Sequence, residues 1–455
     1  MINIKKIVLL SALLITIFIL NGCPKIVHNT TVYMKPVYLS FDDLYKSFRV
    51  EQPKELINPG KIYIKDKFIF VNDKKLGIHI IDNSNPVSPK NLAFLKILGN
   101  HDLAIKGHIL YADSYNDLLA IDISNLNNDI SKIKVVKRIR FVFPSNAFMG
   151  GRRLDLDPHG GNGYLYEKAD PAKGIVIDWV EWKRTTSTQY IPYGAVLRSR
   201  SPSGGSSTGT GGSMSRFALF KNRLYTVDNS DMHIFDINNP ALPVHLSKFR
   251  VGQFIETLFL HKNHLFIGSE TGCYIYTGYK SGTSNLISRS SPSIISQLPH
   301  VRAKDPVVVR GKYAYVTLGN NQLHVIDISM IKYPTLVRNY NISSPFGLTT
   351  DANYLYVCNQ GDGLVIYDTN EPRKLKIVYR LKYDNPDIYK LLNNYRNYSK
   401  RGFYDVILDG GKIIAVGDGG LFQLKFDDMK LKLISTIKSQ YKDRYREYPH
   451  LGWQQ

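Results

Sequence analysis

The stretch Gly77-Ile78-His79-Ile80-Ile81-Asp82-Asn83-Ser84-Asn85-Pro86 decides the fold, because its pattern returns along the chain. It is an apolar strand closing on apolar-apolar-Asp, and a second apolar run, Phe68-Ile69-Phe70-Val71, precedes it. The pair recurs as Leu110-Tyr111-Ala112 with Leu118-Leu119-Ala120-Ile121-Asp122, and as Leu224-Tyr225-Thr226-Val227 with Met232-His233-Ile234-Phe235-Asp236. Weaker in the aspartate but alike in pattern is Leu265-Phe266-Ile267 with Cys273-Tyr274-Ile275-Tyr276. Next come Ala314-Tyr315-Val316 with Leu323-His324-Val325-Ile326-Asp327, and Leu355-Tyr356-Val357 with Leu364-Val365-Ile366-Tyr367-Asp368. The last copy, Ile413-Ile414-Ala415-Val416 with Leu421-Phe422-Gln423-Leu424, has Lys425 in place of the aspartate.

The unit is ~40 residues long, interrupted by two large insertions. Each unit holds four short β-rich runs, and no run with the 3.6-residue helical period spans a unit. Four strands per ~40 residues is the pattern of a propeller blade. Seven copies predict an all-β chain: one seven-bladed β-propeller over residues 60–438, with insertions at about 145–214 and 383–401.

The repeated residues read as structural. The carboxylates of Asp82, Asp122, Asp236, Asp327 and Asp368 end a strand and are expected to accept backbone N–H bonds in the following turn. Histidines at equivalent strand positions (His79, His233, His324) read as packing residues. Cys273 and Cys358 sit in apolar runs and read as small buried residues. The export compartment would permit a bridge between them.

The units resemble the LVIVD repeat of bacterial, often Bacteroidetes, surface lipoproteins. The resemblance rests on residues 77–86 and on Leu323-His324-Val325-Ile326-Asp327-Ile328-Ser329, and extends over about residues 58–438. Gly211-Gly212-Ser213-Met214-Ser215-Arg216-Phe217, Ile255-Glu256-Thr257-Leu258-Phe259 and Asp305-Pro306-Val307-Val308-Val309 are similar to longer signatures of one subgroup. In that subgroup a cysteine precedes the Asp-Pro-Val; Lys304 stands there in this chain, so the disulfide that the resemblance would imply is lost. The resemblance implies a propeller and brings no established activity.

The address agrees. Lys5 and Lys6 precede an apolar run over residues 7–20, shorter than the ~20 residues a spanning helix needs, so residues 1–22 read as a signal peptide. Leu20-Asn21-Gly22-Cys23 resembles a lipobox, which makes Cys23 the lipidated residue. Pro24 in place of a retention aspartate favours the outer membrane of a double-membrane bacterium. Residues 23–59 then read as lipidated N-terminus and linker, and residues 439–455 as a basic tail.

Composition bounds the partners. The 455 residues carry 59 Lys+Arg against 38 Asp+Glu, a formal charge of +21. The basic residues form no dense basic-aromatic stripe, and an exported address argues against nucleic acid. The expected partners are the membrane, through the N-terminal lipid, and an envelope protein or glycan. Basic clusters such as Arg373-Lys374-Lys376 suit solvated strand faces or contact with anionic lipid.

Positions that break the repeat symmetry carry the candidate site. Aligning the units on Leu110, Leu224, Leu265, Ala314, Leu355 and Ile414 puts His101, Ser215, Glu256, Asp305, Phe346 and Asp405 nine residues upstream, with Asp102 and Arg216 one further on. These begin the strand that lines a propeller's channel. Asp102, Glu256, Asp305 and Asp405 are therefore expected around one mouth, with His101, Arg216, His300 and Arg302 nearby. Converging carboxylates suit a hard cation such as Ca²⁺, although the fold itself needs no cofactor. Both insertions join an outermost strand to the next innermost one and should overhang that mouth, where binding loops belong. Trp179 and Trp182 in the first insertion read as an extra strand or as a carbohydrate platform.

Three motif matches fail on context. Gly205-Ser206-Ser207-Thr208-Gly209 has the nucleophile-elbow spacing without the strand and helix that strain the serine. The loop opening at Asp155-Leu156-Asp157 has Tyr166 where a calcium loop needs its glutamate. His159-Gly160-Gly161-Asn162-Gly163 lacks the lysine of a phosphate loop. With no complete catalytic set, the sequence predicts a lipid-anchored envelope propeller acting as a non-catalytic binding or scaffold module. The alternative is a metal-dependent hydrolase or lactonase-like enzyme at the acidic mouth.

Overall fold

A strand that is apolar on both faces must be covered on both faces, and here seven sheets do so by standing side by side. The computed structural model describes residues 26–143, 165–167, 169–189, 215–252, 255–269, 272–277, 294–298, 306–318, 321–359, 362–382 and 402–440. Two compact units emerge: one from residues 42–152 and 207–455, the other from residues 1–41 and 153–206.

The larger unit is the propeller. Its innermost strands are Pro59–Lys65, Leu103–Lys106, Phe217–Phe220, Ile255–His261, Val307–Arg310, Pro345–Thr350 and Phe403–Asp409, for blades one to seven. In every blade the next three strands in sequence follow outward, each antiparallel to the last. Blade one has a fifth, outermost strand, Arg49–Glu51, beside Lys90–Lys96. It comes from the segment expected as linker, so that expectation is corrected. Val50 adds its apolar face to the cluster between blades one and two.

Seven apolar clusters fill the seven seams between blades. Strand alternation explains them: Leu110 and Ala112 face blade one, while Ile109 and Tyr111 face blade three. The final seam joins the chain's two ends. Ile414, Val416 and Leu421 of blade seven pack on Ile62, Ile69 and Ile81 of blade one, and the N–H of Gln440 donates to the carbonyl of Leu56 at 2.7 Å.

The repeated aspartates do what their position predicts. Asp82, Asp122, Asp236, Asp327 and Asp368 each accept the backbone N–H two residues on, at 2.8 Å in every case. The proline that follows in several units has a role of its own. Its carbonyl accepts a hydrogen bond from the preceding blade, as from Tyr111 Oη to Pro240 (2.8 Å) and from Ser435 Oγ to Pro86 (2.6 Å). Cys273 and Cys358 are buried thiols that form no disulfide, and burial raises the Cys358 thiol well above its usual range.

The two long insertions both run from an outermost to an innermost strand, between Lys134–Ile139 and Phe217–Phe220 and between Lys376–Leu381 and Phe403–Asp409. In blade four the third strand, Gly272–Thr277, and the outer strand, Ile294–Leu298, are separated by residues 278–293, which lie outside the described residues.

The smaller unit is a three-stranded sheet. Ile26–Leu39, also expected as linker, pairs antiparallel with Ile175–Gln189 and parallel with Leu165–Tyr166. The β-branched and aromatic run Thr30-Thr31-Val32-Tyr33 explains why this segment is a strand. Gly174 marks a close approach there: at φ +123°, a Cβ would sit 2.1 Å from the carbonyl oxygen of Leu39. Trp179 and Trp182 lie on Ile175–Gln189, as expected for an extra strand.

Candidate functional site

The β-ladders fix which residues are equivalent at the start of each innermost strand. Leu103 pairs with Ala112, Phe217 with Thr226, Ile62 with Val71 and Val406 with Ala415. The residue just before each of these occupies the channel mouth. Around the ring the mouth therefore reads Lys61, Asp102, Arg216, Thr257, Pro306, Gly347 and Asp405. Asp405 is the equivalent of Asp102 and not, as the alignment on Ile414 implied, of His101. The uniform run Ile413-Ile414-Ala415-Val416 hides a one-residue shift in phase, which only the ladder settles.

Following the ring from blade seven to blade three, charge alternates: Asp405, Lys61, Asp102, Arg216. Lys61 Nζ lies 2.6 Å from Asp102 Oδ2, and both side chains are buried. The same oxygen accepts Ser215 Oγ at 3.2 Å, the N–H of Phe217 at 3.1 Å and the N–H of Arg216. Asp102 Oδ1 accepts the N–H of Leu103 at 2.7 Å. One carboxylate thus joins blades one, two and three.

Asp113 supports it from behind, accepting the N–H groups of His101 (2.9 Å) and Asp102 (2.8 Å) and the amide of Asn100 (2.9 Å). Asn100 in turn accepts from Asn72 at 2.7 Å, which carries the network back into blade one. His101, half-buried, directs Nδ1 to the carbonyl of Gly99 at 2.8 Å.

Asp405 repeats the motif at the last seam. Its Oδ1 accepts the N–H of Val406 at 2.6 Å, and its Oδ2 accepts that of Ile62, across the seam, at 3.2 Å. Burial pushes its carboxyl up to about 8, against the opposing pull of these N–H groups and of Lys61, while the charge on Asp102 pushes it further up. Burial also lowers the Lys61 ammonium, against the attraction of Asp102. A single lysine between two buried carboxyls balances one of them, and the other is held neutral near pH 7. Gly347 completes this side, where a Cβ would meet the carbonyl oxygen of Tyr404 at 2.8 Å.

Of the other expected site residues, the backbone of Glu256 lies on the innermost strand of blade four, and nothing further of its side chain is described. Asp305, His300, Arg302 and Cys23 lie outside the described residues, as do residues 441–455 and the three failed motif matches, except that Tyr166 is described. Among the described residues no three His, Cys, Asp or Glu side chains are grouped to hold a metal ion. Nor is any described helix long and apolar enough to cross a membrane.

Lys61 is the residue that sequence reasoning missed. It stands eight residues before Ile69, the same offset that separates Asp102 from Leu110, so extending the alignment to blade one would have found it. The histidines belong to structure. His79 pairs with Asp73 at 3.1 Å and His233 with Asp228 at 2.9 Å, all of them buried. Burial would raise the Asp228 carboxyl, but hydrogen bonds from His233 and from the N–H groups of Ser230 and Asp231 outweigh it and hold it low.

Fold and site together define a seven-bladed propeller with a buried ion pair, Lys61–Asp102, at its mouth. Four segments, residues 59–93, 100–135, 302–342 and 350–380, match the LVIVD repeat. They fall on blades one, two, five and six. Comparison with curated proteins gives no match. Several solved structures are similar to this chain at low identity. Sqt1 of Saccharomyces cerevisiae is 9% identical, over 90% of this chain and 89% of that one, with a TM-score of 0.48. The computationally designed Ika8 is 10% identical over 86% and 94%, at 0.45. BamB from Moraxella catarrhalis is 8% identical over 80% and 82%, at 0.44.

The raised carboxyl of Asp405 has a pH consequence. The folded chain keeps this proton up to about pH 8, whereas the unfolded chain loses it near 3.8, the ordinary aspartate value. Its contribution to stability is therefore complete below about pH 4 and is lost as pH rises towards 8, by at most about 1.4 kcal/mol per pH unit. Denaturant melts of Asp405→Asn against wild type should show the difference growing in the variant's favour from pH 5 to 8. A constant difference across that range would mean that Asp405 is ionised throughout.

Proposed function

We propose that the chain is a lipid-anchored propeller of the bacterial cell envelope, held at the outer membrane, and that it works as a non-catalytic binding or scaffold module. One observation carries the reading: the lone pairs of Asp102 are committed to Lys61, Ser215 and three backbone N–H groups. A metal site or a general base needs carboxylate oxygens that reach a cation or water, and this carboxylate spends its own on holding blades together. What the mouth face then offers a partner is surface. An envelope protein or glycan fits the address; nucleic acid does not.

The second reading, a metal-dependent hydrolase or lactonase-like enzyme, draws on one feature, a buried Asp405 carboxyl that titrates near neutrality. It requires Glu256 and Asp305 to supply the open ligands. Thermal melting at saturating Ca²⁺ separates the two. The binding-module reading predicts no shift for wild type or for Glu256→Ala. A rise of several degrees in wild type that Glu256→Ala abolishes would replace it with the metal site.

The address is tested at Cys23. In cell fractionation with membranes washed at high salt, which strips protein held only by surface charge, Cys23→Ser should move the protein from the membrane to the soluble envelope fraction. Retention in the membrane fraction would contradict lipid anchoring.

A further inference from the structure

The face opposite the mouth carries the turns between first and second strands and between third and outer strands. Eight of the eleven large apolar side chains that stand exposed among the described residues lie on this face, at the third-to-outer turns or where the outer strands begin. Val87 belongs to blade one, Leu242 and Val244 to blade three, Met330 and Tyr333 to blade five and Met429 to blade seven. Several are largely exposed: Val87 is 70% exposed, Met330 66% and Tyr333 71%. Leu336 and Ile377 follow close behind on outer strands.

Cations stand among them. Lys67 and Lys90 flank Val87, Lys312 and Lys332 flank the blade five tips, and Arg373 and Lys374 occupy the blade six turn, all of them exposed. The repeat carboxylates on the same face are drawn into their own turns, and Asp236 is also paired with Arg223 at 2.7 Å.

We propose that this rim docks on an anionic lipid surface. The arrangement selects the partner. A protein partner favours one contiguous apolar patch with a polar border. Here apolar tips are spread over four or more blades of a ring, on one face, with Lys and Arg between them. A bilayer is flat, takes many separated contacts at once, accepts short apolar tips among its headgroups and supplies negative charge to each lysine. The inference agrees with the membrane address proposed above but does not depend on Cys23.

The test uses the chain from residue 23 onward carrying Cys23→Ser, so that neither the apolar leader nor a lipid contributes. Co-sedimentation compares vesicles of equal parts phosphatidylglycerol and phosphatidylcholine with vesicles of phosphatidylcholine alone. The expected result is roughly tenfold stronger partition onto the anionic vesicles, weakening as salt is raised. Leu242→Ser with Met330→Ser and Tyr333→Ser should lower it by roughly tenfold at an unchanged melting temperature, and so should Lys67→Glu with Lys312→Glu and Lys332→Glu. Equal partition onto both vesicle types, or rim variants that bind like the parent, would overturn the proposal. So would a soluble envelope protein captured through the rim by a chain that ignores vesicles. Failure here leaves the anchor untouched, because fractionation of Cys23→Ser cells after a high-salt wash reads the lipid and not the rim.

Discussion

The carboxylate of Asp102 holds three blades in one place. It takes the ammonium of Lys61 from blade one, the N–H of Leu103 from its own blade, and Ser215, Arg216 and Phe217 from blade three. Taking an ion pair out of water costs several kcal/mol per charge, and only good geometry with every remaining lone pair satisfied offsets it. Asp102 meets that condition, with Asp113, Asn100 and Asn72 fixing the backbone that presents it. Apolar seams alone would let neighbouring blades slide, since side-chain burial is not directional. The buried carboxylate sets the register of the inner strands, and Asp405 repeats the device where the ring closes on Ile62.

How legible this was depended on repetition. The blade pattern was readable because five aspartates and the strands before them recur, and each aspartate makes the same 2.8 Å turn bond. What occurs once was harder to read. Asp405 was assigned to the mouth but one position out of register, since four consecutive apolar residues carry no phase. Lys61 escaped because blade one stood outside the alignment, and its value lies in standing between two acids. The strand Ile26–Leu39 was taken for a tether although its composition is strand-like, because its partner is more than a hundred residues away in sequence.

The chain's excess of positive charge now divides by location. At the mouth the buried ammonium of Lys61 is balanced by Asp102, so part of the charge is internal bracing. On the opposite face the lysines remain in solvent beside exposed apolar tips, where charge and hydrophobicity act together on a lipid surface. One repeat thus yields two kinds of surface: a braced mouth and a rim of turn tips.

The central claim is that the mouth acids are bracing charges, and a double-mutant cycle on Lys61 and Asp102 tests it most directly. Equilibrium unfolding would be measured for Lys61→Met, Asp102→Asn and the pair. The account predicts a coupling of about 2 kcal/mol or more, with the double variant more stable than Asp102→Asn alone, because removing the carboxylate strands a buried ammonium. Effects that add to within about 0.5 kcal/mol would contradict it and return Asp102 to the pool of residues free to bind a ligand.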